Sequence, residues 1–84
     1  MLKTKYGNRA PSTQEVKQTE NGTMLVSYNT NIAKIEGGDV TLDERYWDYS
    51  RTTGFYRNQY LGEGIAETHK KIEAGVYTLA NLNK

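Results

Sequence analysis

The sequence predicts a small single α+β domain in which a β-hairpin, two short helices and a C-terminal strand follow one another (ββααβ) behind a flexible N-terminal arm. Three observations carry this reading. Apolar residues alternate with polar ones on both sides of Gly37-Gly38, glycines at 62, 64 and 75 punctuate two helix-like segments, and residues 1 to 22 are almost wholly polar.

The arm comes first. Between Lys3 and Gly22 only Tyr6, Ala10 and Val16 offer apolar surface, too little to offset the entropy of ordering the segment. Residues 1–22 are therefore expected to be flexible, with the turn signal Asn21-Gly22 marking the start of a folded domain at 23–84. From Thr23 to Ile35, Met24, Val26, Tyr28, Thr30 and Ile32 alternate with mostly polar neighbours, as along a half-buried strand. The apolar set then slips to Ala33 and Ile35, which predicts a bulge or bend between Asn31 and Ala33. Gly37-Gly38 supplies a hairpin turn, and Val40-Thr41-Leu42 resumes the alternation in a second strand that Tyr46, Trp47 and Tyr49 continue or end.

Ser50 or Thr52 can cap a helix beginning at Thr53 and running to Leu61, where Gly62 stops it. A second helix spans Ile65 to Ala74, with Ile65, His69 and Ile72 on one stripe and Gly75 at its end. Alternation from Val76 to Leu82 predicts a closing strand that pairs with the hairpin.

Composition narrows the function. With no cysteine there is neither a disulfide framework nor a thiolate metal site, so the expected compartment is a cytoplasm. No apolar run approaches the ~18 residues of a membrane span, and Met1 to Lys5 lead into polar sequence rather than a signal core, so no membrane association is expected. The net charge of +1 is far from the strong positive field of a protein held by many phosphates. Any nucleic-acid contact would have to be local.

The densest feature is Arg45 to Leu61, which holds six of the nine aromatic residues and three of the eleven Lys and Arg side chains. The order Val26-Ser27-Tyr28-Asn29-Thr30-Asn31-Ile32-Ala33, a hairpin, Tyr46-Trp47-Asp48-Tyr49-Ser50-Arg51-Thr52-Thr53 and a segment ending Tyr60-Leu61 resembles a largely uncharacterised family of short bacteriophage proteins. The shared pattern reads Ser-Tyr-x-Thr-x-Ile-Ala, then Tyr-Ser-x-Thr-Thr, over residues 24 to 62. Tyr56 stands where that family frequently carries His. The resemblance implies a small viral protein acting in a host cytoplasm.

Within the block, Arg45, Trp47, Tyr49, Arg51, Tyr56, Arg57 and Tyr60 are the candidate partner-binding residues, because Tyr, Trp and Arg anchor most protein interfaces. The competing reading is a core. A domain short of Leu, Ile and Val must build its interior from rings such as Trp47 and Phe55, although four of the tyrosines cannot all be inside without partners for their hydroxyls. Ser50, Thr52 and Thr53 could receive a phosphate at a helix N-terminus, but ordinary capping is the favoured explanation of them. His69 shares a helix face with Glu73 only, and the acidic residues lack both calcium-loop spacing and an acid and base pair. No enzyme activity and no cofactor are expected.

The expected function is thus that of a phage-encoded inhibitor or modulator of a host bacterial protein complex, an antiviral defence complex such as CRISPR included. The alternative is a small nucleic-acid- or nucleotide-binding protein that stacks bases on the block. Whether the chain pairs into a homodimer stays open.

Overall fold

The computed structural model describes residues 2–84, folded as a five-stranded sheet with two helices. In chain order the elements are β1 (Gln14–Gln18), β2 (Gly22–Ser27), β3 (Thr30–Glu36), β4 (Asp39–Asp43), α1 (Arg51–Leu61), α2 (Ile65–Glu73) and β5 (Tyr77–Ala80). The strands lie side by side in sequence order. Every pair is antiparallel except β4 with β5, whose parallel pairing requires a crossover, and the two helices are that crossover. The α+β class, the Gly37-Gly38 hairpin, both helices and the closing strand against β4 stand as expected from the sequence.

Two elements differ. The segment expected to be a flexible arm contains β1, paired with β2 from Gln14 opposite Ser27 to Gln18 opposite Thr23. Ahead of it Leu2 is buried in the core, and an isolated bridge joins Lys3 to Arg9. A turn does lie there, at Glu20-Asn21 with Gly22 opening β2, but it connects two strands rather than an arm to a domain. Gly22 is required there by close packing. A Cβ on Gly22 would run into the carbonyl oxygen of Ile35 on β3, so Gly22→Ala should lower the Tm by roughly 4–8 °C or more in a thermal melt.

The single strand expected from Thr23 to Ile35 is two strands, β2 and β3, turning at Tyr28 and Asn29 with φ of 50° and 62°. Because Leu25 and Ser27 face the helices, the inward phase of β2 is also the opposite of the one read from Met24, Val26 and Tyr28. The bulge is where the phase slip put it: Leu25 pairs with Ala33 and Val26 with Asn31, leaving Ile32 as the extra residue. That insertion lets two consecutive residues, Ile32 and Ala33, both enter the core.

The core lies between the sheet and the helices, where Leu25, Ile32, Ala33 and Leu42 meet Leu2, Tyr56 and Tyr77. Tyr46, Trp47 and Tyr49 do not prolong β4, which ends at Asp43. The Asp43 carboxylate accepts the amides of Arg45 at 3.0 Å and Tyr46 at 2.8 Å, and this bends the chain away from the sheet. The same carboxylate accepts from the Leu82 amide and the Asn83 side chain, so one buried acid joins the end of β4 to the C-terminal segment.

Candidate functional site

Helix α1 decides which part of the aromatic block faces solvent. Ser50 is its cap, accepting the Thr53 amide at 3.1 Å, and Thr53 in turn lies 3.1 Å from the Ser27 hydroxyl on β2. These contacts fix the rotation of the helix. Thr53, Gly54, Tyr56 and Arg57 are turned inward, while Arg51, Thr52, Phe55 and Gln59 are left on the outer face.

Two candidate residues are therefore not surface anchors. Tyr56 belongs to the core, and Arg57, 1% exposed, is among the most deeply buried side chains of the protein. The Arg57 guanidinium donates to the Trp47 carbonyl at 2.7 Å, to Asp48 at 3.1 Å and to Asn58 at 3.1 Å, and it sits 5.3 Å from the centroid of the Trp47 ring. Gly54 packs beneath it, where a Cβ would stand 3.4 Å from a guanidinium nitrogen, an ordinary contact distance. Arginine rather than lysine suits the position because one planar fork reaches three acceptors at once. Its role is to pin the loop before α1 onto the helix.

Two more are half-buried. Tyr60 donates to the Thr23 carbonyl at 3.1 Å and shares a hydrogen bond with the Thr23 hydroxyl at 2.7 Å, and burial pushes its phenol up from the usual range. Trp47 packs between Arg57 and His69, the imidazole meeting the indole edge-on at 5.1 Å. That leaves Arg45, Tyr49 and Arg51 outward, and the structure does not gather them. Arg45 borders a depression with Asn81 and Asn83, whereas Arg51 lines another on the outer face of α1.

What the structure does gather is a surface the sequence reading missed. Gln59 on α1 accepts the Lys3 amide at 2.9 Å and donates back to the Lys3 carbonyl, which ties the N-terminal segment to the helix. The segment then turns tightly, the Thr4 amide donating to the Asn8 carbonyl at 2.8 Å, and this lifts Lys5 and Tyr6 beside α1. A depression of about 510 Å³ opens between Lys5, Tyr6, Arg51, Thr52 and Phe55. A second, of about 530 Å³, lies on the other side of Arg51 and Phe55 and reaches Asp48 and Ile65. Phe55 and Arg51 form the ridge between them. Phe55 is 39% exposed and Tyr6 78%, so two rings face water beside two cations. Only the spacing of Arg51, Thr52 and Phe55 on one helical face could have signalled this patch from sequence; the arrival of Tyr6 is a long-range event.

Residues 2–76 match the model of DUF8033, a family of unknown function. The chain belongs to that family. No curated protein and no solved structure matches it. The DUF8033 match takes in the N-terminal segment together with α1, the two elements that build the surface patch.

Glu63 is an ionisable group of this DUF8033 domain that serves the fold. Glu63, between α1 and α2, accepts from Thr68 at 2.7 Å, Lys71 at 2.7 Å and Tyr77 at 2.8 Å, and so joins α2 to β5. Burial opposes its ionisation, yet the hydrogen bonds from Lys71, Thr68 and Tyr77 prevail and hold the carboxyl below its ordinary value. Among the described residues no group of three or more His, Asp or Glu side chains is placed to hold a metal ion. No described helix is long and apolar enough to cross a membrane.

Proposed function

We propose that this protein is a phage-encoded binding protein that modulates a host protein complex by pressing the Tyr6, Arg51 and Phe55 surface against it. Arg51 carries the reading. It occupies the first residue of α1, where the free amides and the dipole disfavour a cation, and no acid stands in that first turn to compensate. Arg51 makes none of the ion pairs found among the described residues. A residue that breaks a local rule with no compensation inside the fold is best explained by a partner outside it. The rings of Phe55 and Tyr6 add rigid contact area on either side, the combination of anchors that dominates protein interfaces. The resemblance of residues 24 to 62 to short phage proteins supports the viral origin and a host target.

Arg51→Glu separates binding from folding. Placing an acid in the first turn should stabilise α1 by about 0.3–1 kcal/mol, so any lost binding has a cause other than unfolding. In pull-downs from nuclease-treated bacterial lysate, the wild-type chain is expected to retain a host polypeptide, and Arg51→Glu and Phe55→Ala to lose at least ~2 kcal/mol of that binding. Retention unchanged by both substitutions would remove the patch from consideration.

Nucleic acid is the second reading, favoured by Lys5 and Arg51 flanking two exposed rings, since single strands use stacking surfaces beside cations. A complex that disappears on nuclease treatment, and an affinity for single-stranded oligonucleotides that falls steeply with salt, would select it.

A further inference from the structure

We propose that the chain forms a two-fold symmetric dimer in which β1 pairs antiparallel with the β1 of a second copy, centred on Val16, so that the two sheets become one. The proposal is independent of the patch on α1 and concerns the free edge of the sheet. β1 is an edge strand, with β2 on one side and, among the described residues, no strand on the other.

The hydrogen bonds at both ends of β1 show which groups are free. The Tyr28 amide donates to the Thr13 carbonyl at 2.8 Å and the Thr19 amide to the Gly22 carbonyl at 2.9 Å, so the odd-numbered residues turn their backbone groups toward β2. The even-numbered residues Gln14, Val16 and Gln18 therefore present theirs to the open edge. Of these, the Gln14 amide is taken by the Pro11 carbonyl at 2.9 Å. A second strand must bring its own even-numbered residues opposite them, which restricts the register to a few choices.

The side chains select one of these. The strand reads Gln14-Glu15-Val16-Lys17-Gln18, which is charge-complementary to its own reverse. With Val16 opposite Val16, each Glu15 faces Lys17 of the second copy and each Gln14 faces Gln18. Glu15 and Lys17 already lie 3.6 Å apart within the strand on the face away from the helices, and pairing would set four charges at the corners of a square with opposite signs adjacent. A single-sign edge would repel its copy, which is how edge strands are commonly protected. This edge does the reverse.

A second observation stands apart from charge. Gln14 is 4% exposed, and neither its side-chain nitrogen nor its side-chain oxygen has a hydrogen-bond partner. A buried carboxamide left so is costly. It lines a groove of about 510 Å³ beside Leu2, Pro11 and Val16, open along the free edge. Both atoms are closed to solvent, so Gln14 must turn outward into the groove to reach Gln18 of the second copy, which stands directly opposite with its Cβ about 4.5–5.5 Å away on the same face and offers the matching donor and acceptor. The exposed Val16 side chain would be covered by its symmetry mate in the same groove.

Sedimentation equilibrium over a range of concentrations tests the dimer, with circular dichroism melts confirming that each variant folds. The wild-type chain is expected to self-associate. Glu15→Lys and Lys17→Glu each place like charges opposite one another and should raise the dimer dissociation constant about tenfold or more. The double variant Glu15→Lys/Lys17→Glu restores complementarity and should dimerise as the wild type does. An equimolar mixture of the two single variants should form heterodimers. A wild-type chain that stays monomeric up to about 1 mM would overturn the proposal, as would single variants that dimerise unchanged.

Discussion

Replacing Arg57 by Ala is expected to lower the stability of the fold by about 3–5 kcal/mol, the sum of a cavity and an unanswered carbonyl. The guanidinium is enclosed between Trp47, Asp48 and Asn58, with Gly54 beneath it, so its removal empties a space that the short loop from Glu44 to Ser50 cannot fill by collapsing. The Trp47 carbonyl, bonded at 2.7 Å, loses its donor. For a chain of this size, whose total stability is on the order of 5–10 kcal/mol, such a loss leaves little folded protein at physiological temperature. Urea titration followed by the fluorescence of Trp47 measures it directly. Arg57→Lys should cost less, because the ammonium reaches one acceptor instead of three, and Asp48→Asn less again, about 1 kcal/mol, because that carboxylate is half-exposed. A variant Arg57→Ala with an unchanged midpoint and lost partner binding would instead return this residue to the surface.

Asp43→Ala is expected to have an effect of similar size, again about 3–5 kcal/mol, for a different reason. No large volume is lost. Three backbone amides, those of Arg45, Tyr46 and Leu82, and the Asn83 side chain lose their acceptor together, at a residue that is 1% exposed. Asp43→Asn keeps one accepting oxygen and should cost roughly half as much.

The same carboxylate gives the fold a dependence on pH. Burial opposes its charge, but the amides of Leu82, Tyr46 and Arg45 and the Asn83 side chain outweigh that and hold the folded pKa below the ordinary value. Glu63 is lowered in the same direction, as is Glu36, chiefly through the Thr19 hydroxyl. With folded values below unfolded ones, the unfolded chain binds more protons in acid. Stability is then fully present above about pH 5 and declines as the pH falls through the depressed values. The urea midpoint measured from neutral pH downward should be flat and then drop, with a shallower drop in Asp43→Asn. A midpoint that rises on acidification would contradict the arrangement of these acids.

Parts of the structure were legible in the sequence because their causes lie within a few residues. Gly37 and Gly38 take φ of 58° and 84°, which a two-residue hairpin loop demands and glycine permits. Ser50 caps α1 through the amide three residues on, and Gly62 closes it, so the helix bounds differ from the expected ones only at the start, Arg51 rather than Thr53. The Ile32 bulge showed as a slip in phase because one inserted residue shifts every later side chain to the other face. The turn at Tyr28-Asn29 was hidden differently. It contains neither Gly nor Pro, and Met24, Val26, Tyr28, Thr30 and Ile32 keep an even spacing straight through it, so two strands read as one although the loop sets Ser27 and Thr30 on the same face.

The strand β1 was illegible for a stronger reason. Gln14 to Gln18 contain one apolar residue, and nothing local favours extension there; the strand exists because the backbone groups of β2 need partners on their outer side.

From the order of its residues alone the chain determined an α+β class, a glycine hairpin, two short helices and a closing strand, since these depend on periodicity and turn chemistry acting over one or two turns of chain. The tertiary structure alone decided which members of the block from Arg45 to Tyr60 meet solvent. That choice is the rotation of α1, fixed by Thr53 against Ser27 across 26 residues and by the Arg57 hydrogen bonds to the Trp47 carbonyl and Asp48. A helical pattern places Arg51 and Phe55 on one face and Tyr56 and Arg57 on another, but contacts distant in sequence determine which face is buried.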